Sequence, residues 1–141
     1  NTQLNLFNKY HSFNLVLTEE DYFDADLING CSKFCESISM NFQVLDGLDE
    51  DEMRLGEIYF TLADCDLAKA IHYSGKNGFE VGKDIGLIGY NDSCFKELLV
   101  GGISVISSQP NQMGRMAAEM IQENSKKNVE LDLQFIQRNS L

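Results

Sequence analysis

The sequence predicts an α/β protein: a three-layer αβα arrangement around a mostly parallel sheet of about five or six strands. Three observations lead there. Short β-rich apolar runs such as Ser12 to Leu17 (SFNLVL) and Ile85 to Ile88 have strand length, and the second is apolar enough to be covered on both faces, as strands inside a parallel sheet are. Longer stretches show apolar residues at helical spacing. The two kinds alternate along the chain, which is the pattern of βαβ units.

The elements follow in order. Ser12 to Leu17 is the first strand, followed by the acidic loop Thr18-Glu19-Glu20-Asp21. From Ala25 to Met40, Leu27, Ile28, Cys31, Phe34, Cys35 and Ile38 recur at spacings of 3, 4 and 7, which predicts an amphipathic helix. A second strand is expected over Asn41 to Leu45. Asp49-Glu50-Asp51-Glu52 reads as a solvated short helix start, because carboxylates favour the positive end of the helix dipole. It lacks the spaced oxygen ligands around a central glycine that a calcium loop needs. The third strand, Ile58 to Leu62, runs into Ala63-Asp64, where Asp64 is placed to cap a helix over Cys65 to Gly78. After Gly82 comes the buried strand around Ile85, Leu87 and Ile88, closing in Tyr90-Asn91-Asp92. A strand over Ile103 to Ser107 and a helix over Asn111 to Glu123 follow, the helix carrying Met113, Met116, Ala117, Met120 and Ile121 on one side.

Charge and composition exclude several function classes. Net charge is −11, and the first 66 residues carry 14 acidic against 3 basic side chains while the remainder carries 8 of each. Such a surface repels phosphate, so the chain itself is not expected to grip nucleic acid. Cys31, Cys35, Cys65 and Cys94 are expected to be reduced and mostly buried thiols, and His11 and His72 add no metal-ligand spacing. No metal and no cofactor is expected. The glycines form no phosphate-binding loop between strand and helix, and no Ser/His/Asp or Cys/His set is suggested, so an enzyme is not expected. Without a leader-like start or a spanning run, a cytoplasmic location is expected.

In open α/β sheets ligands bind just beyond the carboxyl ends of strands, which places Tyr90, Asn91 and Asp92 at a candidate site. The surrounding residues carry a resemblance. Gly89-Tyr90-Asn91-Asp92, the strand Ile103 to Ser108, Met113-Gly114-Arg115-Met116-Ala117-Ala118 and Arg138-Asn139-Ser140 come in the order and spacing found in lactose-repressor-type regulators. They resemble the C-terminal part of the effector-sensing domain, a type I periplasmic-binding-protein-like fold also joined to GntR-type winged-helix regulators. The match runs from about Tyr59 to the end.

The resemblance implies a division of the chain. Residues 1–100 would form one lobe, 101–127 a strand and helix belonging to the other lobe, and 128–141 a return strand. It implies that Asp64, Asn91 and Asp92 cluster at adjacent strand ends and contact an effector, with Glu19, Tyr22 and Ser108 as weaker candidates on neighbouring loops. Three positions depart from the family pattern: Ala63 stands where Asn or Asp is usual, Asn91 where Asp is frequent, and Leu27 where sugar-responsive members often place an Arg. The implied function is small-molecule effector binding, with a sugar as the candidate class, and dimerisation within a transcription regulator whose DNA-binding domain lies outside this chain. The alternative is a solute-binding protein of the same fold. The Met-rich helix face implies a symmetric homodimer, with monomeric fold-back as the other outcome. No membrane partner is expected.

Overall fold

The computed structural model describes residues 4–18 and 25–141. A six-stranded sheet is built from β1 (Ser12–Leu17), β2 (Asn41–Asp46), β3 (Glu57–Thr61), β4 (Gly86–Tyr90), β5 (Ser104–Ser107) and β6 (Gln134–Ile136), in the order β2-β1-β3-β4-β5-β6. All neighbours are parallel except β5 and β6. The helices are α1 (Ala25–Ser37), α2 (Asp64–Asn77), the short α3 (Cys94–Leu98) and α4 (Pro110–Gln122).

The strands alternate their side chains between two apolar layers. On one face Phe13, Leu15, Phe60 and Ile88 pack with Leu27, Cys31 and Phe34 of α1, and the Phe13 and Phe60 rings meet edge to face at 6.2 Å. On the other face Val16, Tyr59, Leu87 and Val105 pack with Leu67 and Ala70 of α2. Each such side chain contributes about 1.5–3 kcal/mol when fully withdrawn from water. The three-layer prediction holds for the reason given: β3 and β4 are buried on both faces, whereas β2, at the edge, is mostly exposed.

Local chemistry sets the boundaries. The first helix stops at Ser37 rather than Met40, because Ser39 turns into the left-handed region (φ 56°) and the Met40 amide donates back to Cys35 O at 2.9 Å. Helix α2 ends at Gly78, whose φ of 72° suits the left-handed C-terminal cap. Its N-cap is Ala63 and not Asp64: Asp64 is the first helical residue, and its carboxylate is turned to another partner described below. The cysteines divide instead of burying together: all four are free, but Cys65 and Cys94 are exposed. Burial pushes the Cys31 and Cys35 thiols up to about 11.

Strand β5 is one of the six strands, so the stretch 101–127 begins within this sheet and its helix stands clear of it. Helix α4 has no buried residue, and its Met113, Met116, Ala117 and Met120 line a cleft of about 350 Å³ with Val129 and Leu131.

The last residues form a buckle across β4 and β5. Ser140 Oγ donates to Leu87 O (2.6 Å) and accepts from the Ser104 amide (2.8 Å), while the Leu87 amide donates to Ser140 O (2.9 Å) and the Ser140 amide to Gly102 O (3.1 Å). Leu141 is buried beneath. The buckle needs Gly82, because a Cβ there would lie 1.9 Å from Asn139 O.

Candidate functional site

The carboxyl ends of β3, β4 and β5 lie side by side, and the chain segments leaving them carry Asp64, Asn91, Asp92 and Ser108. The structure brings these four together. Asn91 sits just past β4 with φ 55°, a left-handed conformation that asparagine tolerates better than most residues. Its Oδ1 accepts from both the Ser108 amide (2.9 Å) and the Ser108 Oγ (2.8 Å), tying the β4 exit to the β5 exit. That leaves the Asn91 amide Nδ2 uncommitted among the described residues.

Asp92 is engaged differently. Its two oxygens accept a fork from Arg138, at 2.9 Å and 2.8 Å, and Oδ1 also accepts from the Ser93 amide at 2.9 Å. Arg138 Nη1 donates in addition to Ile103 O. The guanidinium bonds hold the Asp92 carboxyl below its ordinary value, and the carboxylate in turn raises Arg138. Asp92 therefore ties the C-terminal buckle to the strand ends.

Asp64 and Asn91 are linked by a residue that sequence reasoning missed. Lys96, on α3, places its Nζ 2.7 Å from Asp64 Oδ1, 2.7 Å from Tyr90 O and 3.1 Å from Asn91 O. The lysine side chain is 6% exposed and the aspartate 73%. The result is a carboxylate at the surface anchored to an ammonium beneath it. Ser93 caps α3 by accepting from the Lys96 amide at 3.3 Å, which fixes the lysine's starting point. A lysine on a short helix gave no cue of its own. Gly89 did, since a glycine inside a strand marks a close approach, and here the lysine stem passes over it.

Glu19 and Tyr22 lie outside the described residues. Leu27 stands with Phe7, Phe13, Phe34, Ile106 and Phe135 around an apolar cleft of about 450 Å³ on the α1 face of the sheet. That cleft shares no lining residue with the strand-end cluster, and we place the candidate site at the strand ends because the convergent polar groups are there. Among the described residues no group of three or more His, Cys, Asp or Glu could hold a metal ion, and no helix is long and apolar enough to cross a membrane.

Residues 58–140 match the family model described as periplasmic binding protein-like domain. The chain belongs to that family. This periplasmic binding protein-like domain is also similar over 99% of its length to a LacI family transcriptional regulator from Bifidobacterium animalis subsp. lactis (17% identity, TM-score 0.76, 58% of that chain). It is similar to the same extent to the Lac repressor bound to ONPG (15% identity, TM-score 0.74, 48% of that chain). A third similar structure is a LacI family transcriptional regulator from an Arthrobacter species in complex with lactose (13% identity, TM-score 0.74, 61% of that chain). The shared fold is thus that of LacI-family regulators, of which the domain spans roughly half to three fifths. No curated protein matches it by sequence.

Proposed function

We propose that this chain is the effector-binding part of a transcription regulator, taking an uncharged, hydroxyl-bearing small molecule such as a sugar at the ends of β3, β4 and β5. DNA would be bound through a domain outside this chain. The carrying observation is the strand-end cluster: both acids are already paired, Asp64 with Lys96 and Asp92 with Arg138, so the site has no unbalanced charge. What remains for a ligand is the Asn91 amide as a donor and the second Asp64 oxygen as an acceptor, a set suited to hydroxyl groups. The likeness to a lactose-bound regulator supports the sugar class.

Helix α4, with its unburied Met-rich side, is read as the part of 101–127 that reaches a second lobe or a second copy of the chain, and a homodimer follows from that reading. The test is a thermal-shift titration with neutral mono- and disaccharides on the wild-type chain and on Asn91→Ala. A saturable rise in midpoint with one sugar, lost in Asn91→Ala, is expected. A flat response to every sugar, or a response that Asn91→Ala leaves intact, overturns the reading.

A further inference from the structure

We propose that Lys96 sets the charge class of the ligand: its ammonium fills a cation niche made by the Asp64 carboxylate and the carbonyls of Tyr90 and Asn91, so that the site excludes ammonium-bearing ligands. The proposal rests on the effector site described above and adds the residue that would determine its specificity.

The niche is complete without a ligand. An ammonium has three donors, and Lys96 Nζ meets three acceptors at 2.7, 2.7 and 3.1 Å. A buried cation is tolerated only when paired and hydrogen-bonded in this way. The lysine stem packs closely on the strand, for a Cβ at Gly89 would lie 3.2 Å from Lys96 Cε and 3.4 Å from Cδ, so the stem would have to give by a few tenths of an ångström to admit one. Gly89 lies opposite Thr61 of β3 and Val105 of β5, so the stem runs over the middle of the sheet's carboxyl end rather than around its rim.

The order of the charges gives the selectivity. Because the ammonium is inside and the carboxylate outside, a cationic ligand drawn to Asp64 would come within a few ångströms of a like charge held beneath the surface by three acceptors. A hydroxyl donor can share the carboxylate without displacing Lys96. Lysine removal should therefore convert the niche into a receptor for small ammonium ions.

Chemical rescue tests this without any knowledge of the effector. Lys96→Ala removes a propylammonium equivalent, so n-propylammonium chloride should raise the variant's melting midpoint saturably, with n-propanol at least tenfold less potent at matched ionic strength. The wild type and Lys96→Met, whose niches are occupied or blocked, should not respond, and the rescue should vanish in Lys96→Ala/Asp64→Asn. Equal rescue by propanol, rescue surviving Asp64→Asn, or an equal propylammonium response in the wild type overturns the proposal. Should Lys96→Ala fail to fold, the wild-type protein decides by NMR. A sheltered, triply bonded ammonium exchanges slowly, so one lysine ¹H–¹⁵N ammonium cross-peak should persist at neutral pH, disappear in Lys96→Met and shift in Asp64→Asn. Absence of that peak overturns the proposal. Neither arm involves a sugar, so the outcome of the saccharide titration is separable from this one.

Discussion

Ser140→Ala is the most direct test of the buckle across β4 and β5. The hydroxyl is fully buried, donates to Leu87 O and accepts from the Ser104 amide. Its removal leaves two buried backbone groups of neighbouring strands without that partner, each at about 1–3 kcal/mol, and creates little cavity. The sum, about 2–6 kcal/mol, is a large fraction of the about 5–15 kcal/mol that holds a typical domain together. With roughly 3–5 °C of midpoint per kcal/mol at this chain length, the melting temperature should fall by about 6–30 °C. Urea unfolding followed by circular dichroism gives the energy, and amide exchange at Ser104 gives the location. Ser37→Ala, which removes an exposed hydroxyl bonded to Phe34 O, is the control and should stay within about 0.5 kcal/mol of wild type. A Ser140→Ala loss under about 1 kcal/mol, with Ser104 still protected, would refute the role assigned to the buckle.

Three further outcomes follow. Iodoacetamide at pH 7.5 should modify Cys65 and Cys94 readily while Cys31 and Cys35 react only on unfolding, since values near 11 leave about a thousandth or less of those thiols ionised; mass spectrometry of the labelled peptides reads the pattern. The folded-state value of Asp92 is depressed, so its stabilising contribution is present above its unfolded value and is lost as pH falls through the folded one; Arg138→Leu should cost about 1–2 kcal/mol at pH 6 and progressively less below about pH 4, measured by urea unfolding at each pH. Phe60→Ala, at a fully buried position on a central strand, should cost about 3–5 kcal/mol in the same assay.

The parts of the fold legible in the sequence are those with their own periodicity. Strand β4 reads as apolar on both faces because it is covered on both, and α1 reads as amphipathic because it packs on one face. The strand-end position of Asp64, Asn91 and Ser108 also followed from where those runs stop. What was not legible depends on contacts distant in sequence. Arg138 was visible within a motif, yet its partner Asp92 is 46 residues away and nothing in either segment names the other. Lys96 looks like a surface residue until Gly89 and Asp64 are brought beside it by the sheet. Asp64 read as a helix cap because its position allowed one, but a buried ammonium competes for the carboxylate and wins.

The buckle also has a consequence for how the chain is made. Ser140 is translated 50 residues after Tyr90. At about 5–20 residues per second, Ser140 is added about 3–10 s after Leu87 and about 2–7 s after Ser104. For that interval the Leu87 amide and carbonyl and the Ser104 amide lack the partners they have in the folded chain. A chain released before residue 138 would keep those buried groups without that partner. Chains released in that interval should accordingly be less stable and more readily degraded than chains that include Ser140 and Leu141.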